Sequence, residues 1–454
     1  TVEIDSIAEG DWEIHHDRIY KRKLRQDIWQ LLVNDEAMIR ARWPDASSDP
    51  KADNYIWGGR YMKSHVAPEI GTGFGTMVDS KLEEFPFSLD GAMMVLNQRY
   101  RTFSRLVRGH EAGSDTFHYD RDIDQRHLPP EERDPNKVPL DGIYQFERRA
   151  VLHIRYYLEG KLEFLDRPGE WFYDKSSRML YVYMPNSLPP EGQEIRGKVK
   201  DFGLELEGCT GVIIDGLKFF GSTFHLNKVS QCEIRNCRLH HYASLRRMLG
   251  EEVPHFTERF REGFIPTQII ARGWGGSQLK DGKSTHRGLL ADSQIAIVNC
   301  IFSHGEGTAL WSKANQVRIE NCHFSYCDWS CSGKGGTVQG DGWRNVYRRL
   351  EFEWCPRSET LAPSPTSLVE LCDFGQKLGH GEEDGANVQL ARHFGSTVRY
   401  CWFHSNRKFG PRFDGPVQTP ERIDGRIHHN VCFDMNTLSP FRKEKQGPEV
   451  IKVK

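Results

Sequence analysis

The stretch "IENCHF", residues 319–324, decides how the second half of this chain folds, because it recurs. Its pattern is a β-branched or aromatic residue, two variable positions, a small or apolar one, a variable one, then Phe or Leu. It returns as "IDGLKF" at 214–219, "IRNCRL" at 234–239, "IVNCIF" at 297–302, "VELCDF" at 369–374 and "VRYCWF" at 398–403. "YRRLEF" at 347–352 follows it loosely, and "IHHNVCF" at 427–433 follows it with one extra residue. Successive starts lie 20, 63, 22, 28, 22, 29 and 29 residues apart. A period of 20–30 residues, with a short strand per repeat and little helix between, predicts a parallel β-solenoid. A leucine-rich repeat would need its leucine and asparagine pattern. A doubly wound sheet would need a helix between strands, for which these connections have no room.

Successive residues of a strand face opposite ways. Ile319 and Phe324 are five apart, so a bend must intervene for both to face inward, as expected where a coil turns a corner. Cys237, Cys300, Cys322, Cys372 and Cys401 share one repeat position and read as a stack of small buried thiols. The total of eleven cysteines is odd, and this placement argues against a disulfide framework. The 63-residue gap holds an insertion, 242–287. Its "SLRRMLGEEVPHFTERFREGF" (244–264) has helical spacing, and a Gly-rich run follows. Insertions in solenoids often project from the binding face.

Residues 1–200 differ. "DWEIHHDRIYKRKL", "DIWQLLVNDEAMIRARWP", "EWFYDKSSRMLYVYMP" and "EIRGKVKDFGLEL" alternate like strands, while 108–140 is polar, Pro-rich and reads as loop. The expected division is N-terminal coils plus an inserted or capping antiparallel β module over 1–200, and the main β-helix over 201–454.

Composition narrows the function. Hydrophobic residues are 38% and charged residues 27%, the balance of a folded chain. Lys plus Arg is 61 against 63 Asp plus Glu, which argues against a general nucleic-acid binder. No apolar run of about 18 residues spans a membrane. The start, "TVEIDSIAEGDWEI", has no Met and no signal h-region, which fits a leader already removed and so a secreted or periplasmic protein.

The whole pattern resembles the right-handed parallel β-helix carbohydrate-active enzymes, the pectate-lyase-like superfamily. The resemblance rests on 27–46, on "LEFLDRPGEWFYDKSSRMLYVYMP" (162–185) and on "DGANVQ…VRYCWFHSNRKFGPRFDG" (384–415). β-Helix glycosidases of the α-fucosidase and xylanase type are the nearest analogy. The resemblance implies a polysaccharide or oligosaccharide partner, but the fold hosts lyases, hydrolases, esterases and adhesins.

The candidate residues follow from aligning "GTALW" (307–311), "GANVQ" (385–389) and "GPRFD" (410–414) on their leading Gly. Leu310, Val388 and Phe413 then face inward, and Asn387 with Arg412, and Gln389 with Asp414, form an outward polar ladder. Glycosidic cleavage generally uses two carboxylates, and Asp384 and Asp414 are the leading pair. Glu382, Glu383 and Glu306 are substitutes, with Glu306 at the position equivalent to Asp384. "GEEDG" also reads as an acidic solvated turn, or as a Ca²⁺ site, although hydrolysis itself requires no cofactor. His404, Arg407, Lys408 and Arg412 read as a solvated basic turn or as an anion-binding cluster around Asp414, with His404 able to move a proton. His380 and Trp311 complete the substrate-binding set. "CHFSYCDWSC" (322–331) lacks zinc spacing, and "SQLKDGKST" (277–285) lacks the first glycine of a P-loop. The expectation is a glycoside hydrolase acting on an anionic, sulfated or uronate-containing polysaccharide. The alternatives are a polysaccharide lyase and a non-catalytic glycan-binding solenoid.

Overall fold

A computed structural model describes residues 5–6, 12–46, 60–62, 74–98, 101–120, 154–185, 188–252, 267–271, 278–280, 283–285, 294–330, 336–340, 342–355, 359–375, 386–391, 395–406, 409–414, 425–435 and 452–453. From Phe202 onward each repeat gives one short strand to each of three parallel sheets, so the chain winds as a parallel β-helix. Two of these sheets have eight strands. The first runs from Ile213–Asp215 to Arg426–His428, and the second from Lys218–Phe220 to Val431–Met435. The third has nine, from Phe202–Glu207 to Lys452–Val453.

The bend that "IENCHF" requires is at Asn321. Arg318–Glu320 belongs to the first sheet, His323–Ser325 to the second, and Asn321 between them has φ 53°. A left-handed residue reverses the facing of the chain, so Ile319, Cys322 and Phe324 are all buried. Asn tolerates this conformation because its short amide finds local partners. Asn321 Nδ2 donates to Asn299 Oδ1 at 3.1 Å, and Asn299 Nδ2 to Asn236 Oδ1 at 3.2 Å. Inside, Phe302, Phe324, Phe352, Phe374 and Phe403 stack with centroids 4.9–5.0 Å apart. Each fully buried ring stabilises the helix by about 1.5–3 kcal/mol. The five repeat cysteines stack beside them as buried free thiols.

The last repeat corrects the motif. Phe403 pairs with Cys432, so Cys432 takes the Phe position and Phe433, 46% exposed, faces out. Asn430 takes the cysteine position, where its Oδ1 accepts from Cys401 N at 2.9 Å and its Nδ2 donates to Val398 O at 3.0 Å. The motif has no extra residue there; it has two substitutions.

The insertion is also built differently from its sequence reading. The described part of 242–287 has a 3-10 turn at Arg247–Leu249, ended by left-handed Gly250, and an antiparallel pair, Gln278–Lys280 with Lys283–Thr285. Thr267–Ala271 is a strand of the nine-stranded sheet, between Thr223–Val229 and Leu310–Lys313. The long gap therefore holds a coil strand with extra chain before and after it. "TQIIA" is too short to reveal itself by periodicity. The helical reading of 253–264 lies outside the described residues.

No described strand before Phe202 joins the three long sheets, so no early coil is present among the described residues of the first half. That half forms four-, seven- and five-stranded sheets whose pairs are antiparallel except Ile39–Arg40 with Glu170–Asp174. Part of the expected loop 108–140 is a strand, Thr116–Asp120, paired with Phe74–Val78. Its alternation is clean, with Phe117 and Tyr119 buried, but the Pro-rich sequence after it hides the signal.

Candidate active site

The turn from the first to the second eight-stranded sheet is two residues long in every described coil, for example 321–322 and 400–401. The connections entering and leaving the nine-stranded sheet vary, from 407–408 to 241–266. All the freedom to vary loops therefore borders one sheet, and its outward face is the candidate site.

Register builds a row across that face. His225 pairs with Glu205 and Gln268, Gln268 with Trp311, Trp311 with Gln339, and Gln339 with Ala362; further along, Gln389 pairs with Arg412 and Arg412 with Lys452. Trp311 is half-buried, and Lys313, two residues on and so on the same side, holds its ammonium 4.0 Å from the indole centroid. Arg412 Nε donates to Gln389 Oε1 at 2.9 Å, and Asn387 Nδ2 to Thr360 Oγ1 at 3.5 Å. Burial lowers the pKa of the His225 imidazole, against the opposing pull of Glu205 and Glu207. Lys313, Gln339, His225 and Glu205 were not singled out from sequence. The i, i+2 spacing of Trp311 and Lys313 is the signal that could have found them.

The alignment on leading glycines holds between 307–311 and 385–389, where Leu310 leads through Val338 and Leu361 to Val388, but it is two residues out of register at 410–414. Arg412 lies opposite Gln389 rather than Asn387, and Asp414 opposite Ala391 rather than Gln389. A two-residue slip keeps every side chain on its own face, so the division into inward and outward residues survives while the neighbours change. Nor is the row open along its length, since Arg412 and Asn387 are each 1% exposed. The described side chains accessible to a ligand here centre on Trp311 and Gln339.

His404 is not part of this face. It lies within the strand Trp402–Asn406 of the second eight-stranded sheet rather than on a corner. Its Nε2 is 2.8 Å from Asp373 Oδ1, and its ring stacks on Phe433 at 4.9 Å. Arg412 and Asp414 belong to a different sheet. Arg407, Lys408, His380, Glu382, Glu383 and Asp384 lie outside the described residues, as does the side chain of Asp414.

Glu306 has a different occupation. Both its oxygens accept from Arg40 at 2.9 Å, Arg247 Nη2 donates to Oε1 at 2.9 Å, and Leu245 N donates to Oε2 at 2.7 Å. Arg247 also bonds Glu159 at 2.6 Å. Burial would raise the Glu306 pKa, but the two guanidinium groups outweigh it and hold the carboxyl below its usual range. The group clamps the N-terminal module to the β-helix, at the loop that leads to Trp311.

Among the described residues, three carboxylates lie close enough to share a cation: Asp45, Asp166 and Glu170, within 4.8 Å of one another. They belong to the N-terminal module. Burial, with Asp166 and Asp45 alongside, pushes Glu170 up to about 8, so a proton already relieves the repulsion there.

No protein-family model matches the sequence, and no curated protein matches it. Among solved structures, a glycoside hydrolase is similar at 12% identity and TM-score 0.48, over 94% of this chain and 80% of its own. The plasmid-mediated fluoroquinolone resistance protein QnrB1 is similar at 10% identity and TM-score 0.14, over 49% of this chain and 92% of its own. The fold assignment rests on the strand register above rather than on either likeness.

Proposed function

We propose that the chain is a carbohydrate-active enzyme, a glycoside hydrolase that holds an anionic glycan against the outward face of the nine-stranded sheet. The observation that carries this reading is the in-register row from Glu205 to Arg412, with Trp311 and Lys313 side by side at its centre. A flat aromatic ring supports a pyranose and amides bond its hydroxyls, while the Lys313 ammonium, 4% exposed and held against the ring, adds positive charge there that favours sulfate or carboxylate. Asp414, at the end of the strand that carries Arg412, and Asp384, just before the preceding strand, are the proposed carboxylate pair.

A lyase is the second reading. The Lys313 ammonium beside Trp311 is the cation that would neutralise a uronate, and no residue of the row between Trp311 and Arg412 is acidic among the described residues. One experiment separates the two. A panel of anionic polysaccharides is digested and the products are weighed; hydrolysis adds one water per cleavage and elimination adds none. We expect water uptake, and loss of at least about a hundredfold in rate in Asp414→Asn, the scale of a lost general acid or base. Unsaturated products without added water, or full activity in Asp414→Asn, would overturn the hydrolase reading.

A further inference from the structure

Three histidines meet where the N-terminal module touches the β-helix. His240 and His241 follow the strand Lys218–Phe220 by one coil, and His304 takes the corner of the next coil. Their ring centroids are 4.0 Å apart for His240–His241, 4.8 Å for His240–His304 and 5.6 Å for His241–His304. His241 is 2% exposed, and its Nε2 lies 2.9 Å from the carbonyl oxygen of Asp35, to which it donates. Asp35 is at the tip of the hairpin Leu31–Val33/Glu36–Ala37, an N-terminal element. His240 Nδ1 is 2.8 Å from Ser303 Oγ, and Nδ1 of His304 is buried without a hydrogen-bond partner among the described residues.

The surroundings do not neutralise three cations. Phe220 packs on both His240 and His241, and Tyr326 stacks on His304 at 4.8 Å. The charged groups facing the cluster from the module are Asp35, Glu36 and Arg196. Asp35 is already ion-paired with Arg196 at 3.1 Å, and Arg196 itself lies 4.9 Å over the Phe220 ring.

We infer that this cluster makes the seating of the hairpin 31–37 acid-labile, so that protonation below neutral pH releases it from the corner formed by 240–241 and 303–304. Neutral rings pack there; charged ones repel one another and lose water. Burial is the first cause in each case, and it lowers His240, takes His241 down to about 3 and His304 to about 4. Asp35 and Glu36 partly offset this at His240. A histidine depressed in the closed state contributes stability that is present above pH 6.5 and is lost as pH falls towards 4. The Glu306 clamp is shifted in the opposite sense for acid, because its guanidinium partners hold the carboxyl below the ordinary carboxylate value and so favour the ionised, paired form.

Hydrogen–deuterium exchange of the full chain at pH 7.5 and 5.0, corrected for intrinsic rates, reads this directly. Protection of peptides covering 31–37 falls by roughly thirty-fold for each histidine released, while peptides covering 318–325 hold theirs. His304→Phe, which keeps the stack on Tyr326, makes the fall about thirty-fold smaller. If that variant does not fold, the half-buried His240→Gln gives the same comparison with a smaller change. Equal protection of the hairpin at both pH values, or a fall of unchanged size in the folded variants, would overturn the inference.

Discussion

Glu306 places one carboxylate between two guanidinium groups, with 1% of its surface exposed. Removing one member of such a group leaves buried charge uncompensated, which costs about 3–5 kcal/mol. Glu306→Gln should lose stability on that scale in urea unfolding, and a loss under about 1 kcal/mol would contradict the clamp. Sequence singled out Glu306 as a stand-in for the Asp384 position but could not show its partner, because Arg40 lies 266 residues away. Glu170 makes a second test. Its carboxyl is raised from 4.5 to about 8, so its contribution is fully present below pH 4.5 and is lost as pH rises through about 8. Glu170→Gln imitates the protonated acid. It should match the parent in thermal unfolding at pH 5 and exceed it at pH 9; equal destabilisation at both would count against the shift.

The corner between the two eight-stranded sheets is left-handed in coil after coil, at Gly216, Asn236, Asn299, Asn321, Arg349, Leu371, Tyr400 and His429. Leu371 is a strained member of this series, since it has φ 56°, a side chain 50% exposed and no amide to bond locally. Leu371→Asn should stabilise by about 1 kcal/mol through relief of backbone strain, whereas Asn321→Ala should cost about 1–2 kcal/mol through strain and lost ladder bonds. Denaturant midpoints check both, and a destabilised Leu371→Asn would refute the strain argument. These corners were legible in "IENCHF", because two inward residues five apart demand a bend. The nine-stranded sheet was less legible. Its strands carry no repeated motif, so a shared glycine was a poor anchor and the register slipped by two at 410–414.

At the scale of the molecule, the repeat alone sufficed to read a β-helix, because each coil satisfies its neighbours by the same local rule. The packing of the antiparallel module onto it could not be read, since that depends on contacts such as Arg40–Glu306 and His241–Asp35, between residues remote in sequence. The basic cluster of 404–412 also divided in a way no linear reading shows, with His404 and Arg412 on different sheets. The proposed glycan-binding face can be tested against a control that the chain itself carries. Trp311 stands on the nine-stranded sheet, and Trp402, 55% exposed, on the second eight-stranded sheet. The deciding measurement is the rate of depolymerisation of the active glycan by Trp311→Ala and Trp402→Ala. We expect a loss of about tenfold for Trp311→Ala, the worth of one stacking contact, and an unchanged rate for Trp402→Ala. An unchanged Trp311→Ala with an impaired Trp402→Ala would place the site on the other sheet and contradict it.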